Sequence, residues 1–115
     1  GMSRYWFSNN GLELDVGPYI KALEFASNCE TIVLGKPSPS FFNTAVVQLN
    51  LKPEQVMMIG DDLTSDINAA QNAGLKAALV KTGKFLSDDL NAQQPADWVI
   101  DSIADLPNLW KSITT

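Results

Sequence analysis

Apolar residues along this chain fall into two kinds of pattern. Four short runs are apolar or β-branched throughout, as in strands that are covered on both faces. They are Thr31–Leu34, Val56–Ile59, Ala77–Val80 and Trp98–Ile100. Between them, apolar residues recur every three or four positions, which is typical of amphipathic helices. Strands that alternate with helices pair in parallel through right-handed crossovers. The pattern therefore predicts an α/β fold, a doubly wound, Rossmann-like parallel sheet of about four strands with flanking helices.

Proline and glycine mark the limits of the predicted helices. Pro18 and Pro39 stand near helix starts, where a missing N–H costs nothing, and Gly74 follows a helix end. Pro107 is expected to interrupt the last helix early. The predicted helices are 18–28, 38–49, 64–73 and 103–113. A polar loop with one helical turn near 87–90 is expected over 81–97. We assign residues 1–16, which contain an Asn-Asn-Gly turn, to an N-terminal arm or short strand and residues 17–115 to the α/β domain.

Composition restricts the partners of such a domain. The chain has 115 residues, 45% of them hydrophobic, which suits one domain. Its net charge is −5, with 13 acidic and 8 basic residues and no basic cluster, so we expect neither nucleic acid nor an anionic membrane as a partner. No apolar run approaches the roughly 20 residues that cross a bilayer, and no apolar stretch at the N-terminus resembles a signal peptide. We expect a cytoplasmic protein.

The content of histidine and cysteine excludes several kinds of chemistry. The chain has no histidine, which removes Ser-His-Asp and Cys-His catalysis and histidine-containing zinc sites. Its one cysteine, Cys29, cannot form an internal disulfide and is interpreted as a small apolar residue. Any hydrolytic chemistry would therefore use carboxylates, lysine and a hard metal ion.

Charged residues follow two of the predicted strands, at the sheet edge where ligands of parallel α/β proteins collect. Lys36 follows the first strand, and a positioned lysine neutralises phosphoryl oxygens, although Lys36 alone also fits an exposed loop. Asp61, Asp62 and Asp66 follow the second strand within six residues. Capping of a helix explains one of these carboxylates, and the surplus indicates an oxygen-bound cation such as Mg²⁺.

These segments resemble a known family. Val33–Pro37 and Ile59–Ile67 are similar to the third and fourth motifs of haloacid-dehalogenase (HAD) phosphatases. Ala69–Gly74 and Val80–Lys84 resemble the branch that holds the phospholysine phosphohistidine inorganic pyrophosphate phosphatases and para-nitrophenyl phosphatases. The likeness runs from about Gly17 to Ile113. It implies a phosphoryl hydrolase that acts on a small phosphorylated substrate and uses Mg²⁺.

The resemblance also implies roles for individual residues. Lys36 would contact the phosphate and Asp61 would bind Mg²⁺, with Asp62 as a second candidate metal ligand. Asp66, together with Asp62, would orient Lys36 and the water molecules of the metal. In this family the attacking group is the first aspartate of an N-terminal D-x-D motif, which forms an aspartyl-phosphate.

The chain departs from the family at that motif. It contains no D-x-D, no counterpart of the second motif and no inserted cap, and it resembles the C-terminal half of the core. We therefore expect a truncated core segment that is inactive alone. Without the N-terminal strands, Val56–Ile59 would lie at a sheet edge, so we expect a homo-oligomer or a partner that supplies strands.

Two functions remain open. The chain is either part of a phosphatase whose other half lies elsewhere, or a noncatalytic association module with a residual cation or phosphate site. A phosphoacceptor receiver domain is excluded by the order of the residues, since receivers carry the acidic pair near the first strand, whereas here Lys36 precedes Asp61.

Overall fold

The computed structural model describes all residues, Gly1–Thr115, as two compact units. The first unit is Gly1–Gly35 and the second is Lys36–Thr115. The division between the units follows Gly35, whereas the sequence pattern had placed a boundary after Val16. No helix is long and apolar enough to cross a membrane.

The first unit consists of a hairpin and a helix. Strands β1 (Tyr5–Ser8) and β2 (Gly11–Leu14) pair in antiparallel fashion around the Asn-Asn-Gly turn. Helix α1 (Val16–Ser27) begins at Asp15, which accepts a hydrogen bond from the backbone N–H of Val16, and ends at Asn28 in a left-handed conformation. The segment predicted as an arm or short strand forms two strands, and the predicted first helix is confirmed.

The predicted strand at Thr31–Leu34 is wrong. These residues form no strand, and the side chains of Ile32 and Leu34 are 83% and 71% exposed. A strand needs a hydrogen-bonded neighbour, and this run has none in either sheet. The β-branched sequence favours an extended backbone here but cannot supply the partner.

The second unit carries a three-stranded parallel sheet in the order β3 (Met57–Gly60), β4 (Lys76–Val80) and β5 (Trp98–Ile100). The middle strand β4 is buried from Ala77 to Val80, while β3 and β5 lie at the edges. The parallel α/β fold is confirmed, with three of the four predicted strands in the sheet.

Helices precede, separate and follow the strands of the second unit. Helix α2 (Pro39–Leu49) precedes β3, and helix α4 (Leu106–Thr114) ends the chain. Short 3₁₀ helices lie at Pro53–Gln55, Ser87–Asn91 and Ile103–Asp105. Pro107 lies in the first turn of α4 and does not interrupt it, since a proline at this position sacrifices no helical hydrogen bond.

The connection between β3 and β4 differs from the regular helix that the sequence predicts. Leu63–Asn68 forms a π-helix and only Ala69–Asn72 forms an α-helix, here α3. The backbone N–H of Ile67 bonds to the carbonyl of Asp62 at 3.2 Å, five residues earlier. Such wide turns are uncommon and occur often at functional sites.

The core of the second unit lies between α2, the π-helix with α3, and the sheet. Its buried side chains are Phe42, Val46, Ile67, Ala69, Ala70, Leu75, Ala77 and Leu79. The sheet and its first connection are therefore fixed by the same packed layer. This layer positions the ends of β3 and β4.

Two adjacent valines in α2 test the core. Val46 is 5% exposed and Val47 is 77% exposed. We expect Val46→Ala to lower the free energy of unfolding by about 1–3 kcal/mol, because two buried methyl groups are lost and a cavity is left. Val47→Ala should be neutral or slightly stabilising, because alanine has the higher helix propensity. Urea unfolding measures both, and equal losses would contradict the assigned orientation of α2.

Candidate functional site

The acidic residues follow β3 in a tightly packed turn. Gly60 ends β3, and a β-carbon at this position would overlap the carboxylate of Asp66. Glycine is therefore required for space, because the strand end and the Asp66 side chain occupy adjoining positions. This contact brings Asp66 next to the peptide that precedes Asp61.

Asp66 is the only buried charged residue of the chain, at 4% exposure. Its Oδ1 pairs with the ammonium of Lys36 at 2.5 Å, and its Oδ2 accepts a hydrogen bond from the backbone N–H of Asp62 at 3.3 Å. Both oxygens thus have partners, as a buried carboxylate requires.

Lys36 lies in the loop before α2 and keeps part of its side chain in contact with solvent, 38% by area. Asp66 holds the ammonium on one side. The remaining N–H groups of the ammonium are free to bind an anion, since a lysine ammonium has three donors. A lysine anchored in this way is a preorganised contact for a phosphate oxygen.

Asp62 caps the helix that follows. Its Oδ1 accepts hydrogen bonds from the backbone N–H groups of Thr64 at 3.0 Å and Ser65 at 2.9 Å. Its Oδ2 lies 3.7 Å from the ammonium of Lys84. Partial burial raises the pKa of Asp62, but the hydrogen bonds from Ser65, the positive charge of Lys84 and the Thr64 N–H outweigh it and lower the pKa.

Asp61 makes one contact of a different kind. Its Oδ2 accepts a hydrogen bond from the backbone N–H of Lys84 at 2.7 Å, and no protein group donates to its Oδ1. The carboxylate is partly exposed. Asp61 is therefore fixed through one oxygen and has the other available for a ligand.

The three carboxylates do not form a joint cage. No group of three or more acidic, histidine or cysteine side chains in the chain could hold a metal ion. The negative charges of Asp62 and Asp66 are compensated by the backbone N–H groups of Thr64 and Ser65 and by two lysines. The number of carboxylates left without a protein partner is therefore smaller than the sequence suggested. The free oxygen of Asp61 still fits Mg²⁺, which retains several waters and takes one or two carboxylates from a protein.

The structure joins Lys36 to Asp66 and Asp62 to Asp66 by direct contacts, and Asp61 adjoins them as the residue before Asp62. Lys36 reaches Asp66 from a loop, because the strand predicted before it is absent. Gly83 and Lys84 join them, and the sequence interpretation gave these two residues no role. Their position in the sequence could have indicated this, because they follow β4 and the carboxyl ends of neighbouring parallel strands lie at the same edge of a sheet.

Comparison with known proteins gives a consistent result. The HAD-hydrolase-like family profile matches residues 33–106. Among curated proteins, phospholysine phosphohistidine inorganic pyrophosphate phosphatase from Xenopus laevis is 46% identical over 105 residues, or 90% of this chain and 39% of the relative. The human protein of that name is 44% identical over 110 residues, or 95% of this chain and 41% of the relative. These matches extend nearer to the N-terminus than Gly17.

Solved structures show the same likeness. The p-nitrophenyl phosphatase from Archaeoglobus fulgidus superimposes with a TM-score of 0.77 at 27% identity, over 94% of this chain and 44% of that one. The 4-nitrophenylphosphatase from Thermotoga maritima gives the same score and identity over 93% of this chain and 42% of that one. This chain spans about two fifths of the length of these proteins.

The lowered pKa of Asp62 predicts a pH-dependent contribution to stability. A carboxyl group with a lowered pKa in the folded state stabilises the fold above its unfolded pKa, near 3.8, and loses this effect as the pH falls through the lower folded value. We expect the wild type to exceed Asp62→Asn in unfolding free energy at neutral pH, because both side chains cap a helix but only aspartate carries the charge. This difference should shrink below pH 3.8.

Urea unfolding of both proteins in EDTA, from pH 7 to pH 2.5, measures the effect. Asp88→Asn, an exposed position in the first turn of a 3₁₀ helix, is the matched control. A difference that grows towards acid pH would contradict the assigned environment of Asp62.

Proposed function

This chain belongs to the HAD-hydrolase-like family, and we propose that it supplies the phosphate-binding and metal-binding part of a magnesium-dependent phosphatase site. The observation that carries the proposal is the anchored ammonium of Lys36, 2.5 Å from the buried carboxylate of Asp66. This pair lies directly beside the turn that presents Asp61. A fixed cation and a free carboxylate oxygen are the two groups that phosphoryl transfer needs at such a position.

Lys36 would act on the phosphoryl group. Its ammonium would neutralise charge on phosphoryl oxygens, and Asp66 would keep the ammonium in place. Asp66 is itself held by the Asp62 N–H and by its burial, so the lysine needs little reorganisation when an anion binds. The proposed substrate is a small phosphorylated molecule, in keeping with the phosphate compounds for which the relatives are named.

Asp61 would hold Mg²⁺ through its free Oδ1, with water completing most of the coordination. A bound Mg²⁺ offsets negative charge on the phosphoryl oxygens. Asp62 would act indirectly, because its cap fixes the start of the π-helix and thereby the distance between Asp61 and Asp66. Asp62 is a weaker candidate for direct contact, since both of its oxygens face other partners.

The attacking group would not come from these residues. The sequence has no D-x-D motif, and the carboxylates that face the site are already engaged in the roles described above. We therefore propose that the chain binds phosphate without hydrolysing its esters. The carboxylate nucleophile would be supplied by another part of the functional protein.

Binding of inorganic phosphate in the presence of Mg²⁺ tests the proposal. Isothermal titration calorimetry should show that Lys36→Ala weakens binding roughly 10- to 100-fold, since one charge-assisted hydrogen bond contributes about 1.5–3 kcal/mol. Asp61→Ala should remove the dependence on Mg²⁺. Lys52→Ala is the matched control, because Lys52 is an exposed lysine without an acidic partner. An equal loss of phosphate affinity in Lys36→Ala and Lys52→Ala would indicate nonspecific electrostatic binding and contradict the proposed site.

Hydrolysis of p-nitrophenyl phosphate in the same samples separates binding from turnover. We expect the wild type to remain at the rate of buffer alone. Magnesium-dependent turnover that disappears in Asp61→Ala would show that this chain holds a complete site, and would contradict the proposed division of the site.

A second candidate function, association, is favoured by the exposed edge of β3. Strand β3 pairs only with β4, so the backbone groups on its other side have no strand partner. The sequence from Val56 to Gly60 contains no charged residue. An apolar groove of about 400 Å³ runs beside it, and Leu51 and Trp110 in its wall are 45% and 51% exposed. Unpaired edges of this kind are templates for strand pairing.

We propose that a second copy of the chain occupies this edge. The other sheet edge, β5, has three residues against the four of β3, so it offers fewer backbone groups for pairing. At β3, a twofold axis would pair two uncharged strands and place each copy against the groove of the other. The resulting homo-oligomer would have one continuous sheet.

A lysine placed at each edge tests the association. Met57→Lys at β3 should shift the protein to monomer by at least tenfold in dissociation constant, because pairing would bury the charge. Val99→Lys at β5 should leave the association unchanged. Sedimentation across a concentration series measures both, and a wild-type chain that stays monomeric at the highest concentration would contradict the proposal.

A further inference from the structure

The loop after β4 turns back towards the end of β3. Its start is fixed because the N–H of Lys81 bonds to the carbonyl of Ile100 at 3.0 Å, beyond the last pair of β4 and β5. A tight turn follows, in which the N–H of Phe85 bonds to the carbonyl of Thr82 at 3.2 Å. Phe85 packs against the core, so both ends of the turn are anchored.

Gly83 occupies the tip of this turn in close contact with Asp61. Its φ of +57° lies in the left-handed region, and a β-carbon at this position would overlap Oδ2 of Asp61. Conformation and space thus both call for glycine at position 83. Any side chain there must displace the Asp61 carboxylate or move the turn.

The next residue fixes the same oxygen. The backbone N–H of Lys84 donates to Oδ2 of Asp61 at 2.7 Å, a short hydrogen bond to a carboxylate. The Lys84 side chain is 63% exposed, and its ammonium lies 3.7 Å from Asp62 rather than Asp61. The peptide group of Lys84, and not its charged side chain, therefore holds Asp61.

We propose that Gly83 and the Lys84 peptide N–H are positioning elements that hold Asp61 in one orientation, with Oδ1 presented to a divalent cation. The turn donates a hydrogen bond to Oδ2 of Asp61 and none to Oδ1. Asp61 would therefore bind a cation through Oδ1 alone. The part that concerns the cation rests on the proposed function. The contact between the turn and Asp61 does not.

Hydrogen exchange tests the contact without any metal. The N–H of Lys84 belongs to an exposed residue, and its acceptor is the Asp61 carboxylate. In EDTA, Asp61→Ala should lower the protection factor of this amide at least tenfold, while Asp62→Ala should leave it within about twofold. Equal protection in the wild type and Asp61→Ala would overturn the inference.

Metal affinity tests the consequence. Binding of Mn²⁺, followed by electron paramagnetic resonance, should be at least tenfold weaker in Gly83→Ala than in the wild type. Gly74→Ala is the matched control, because Gly74 also has a positive φ, +89°, but a β-carbon there would meet only Pro53. If Gly83→Ala and Gly74→Ala lose thermal stability equally and both keep the wild-type Mn²⁺ affinity, Gly83 has no positioning role.

A second pair of variants, at Lys84, tests the same inference if Gly83→Ala fails to fold. Lys84→Pro removes the peptide N–H, whereas Lys84→Ala keeps it, so only the proline variant should lose Mn²⁺ affinity. Equal affinities in this pair would overturn the inference. A different result separates the two proposals. If the wild type binds no Mn²⁺, and the Lys84 amide still loses protection in Asp61→Ala, the proposed metal site is contradicted and the contact between the turn and Asp61 is supported.

Discussion

The ion pair between the buried Asp66 and the partly exposed Lys36 is the constraint around which the candidate site is arranged. A carboxylate that is 4% exposed is tolerated only if its oxygens are satisfied, and an unpaired one would cost several kcal/mol, on the order of 3–5. Here one oxygen takes the ammonium of Lys36 and the other takes the N–H of Asp62. The loop before α2, the end of β3 and the π-helix are thereby connected through a single side chain.

Close packing at the sheet edge makes these connections possible. Gly60 lets the Asp66 carboxylate lie against the end of β3, and Gly83 lets the loop after β4 lie against Asp61. Both glycines stand where a β-carbon would overlap a carboxylate. The neighbouring ends of two parallel strands therefore meet around acidic side chains. Oδ1 of Asp61 accepts no hydrogen bond from the protein, and Oδ2 of Asp62 has only the ammonium of Lys84, 3.7 Å away.

The division of roles among the acidic residues follows from their different surroundings. Asp66 is buried and paired, Asp62 caps a helix, and Asp61 is partly exposed and held through one oxygen. The same unit also carries an uncharged edge strand beside an apolar groove. The proposed binding site and the proposed association surface therefore belong to one small sheet, in a chain that spans about two fifths of the length of its relatives.

The order of elements could be read from the sequence. The runs at Val56–Ile59 and Ala77–Val80 form strands because continuous apolar sequence suits a sheet covered on both faces, and Asp61–Asp66 follow the first of them as predicted. Lys36 was predicted at the end of a strand that the structure lacks. The resemblance of these segments to the motifs of HAD phosphatases also indicated the family that the profile match shows. Local sequence determined these features because hydrophobic periodicity and turn residues act over a few positions.

Tertiary structure decided the rest. Thr31–Leu34 has the composition of a strand but no neighbour to pair with, and the expected α-helix after Asp62 became a π-helix around the buried Asp66. Three similar aspartates received three different roles, and Gly83 and Lys84 joined the site from another strand. Pairing partners, burial and hydrogen-bond donors come from residues distant in sequence, so no local pattern contains them.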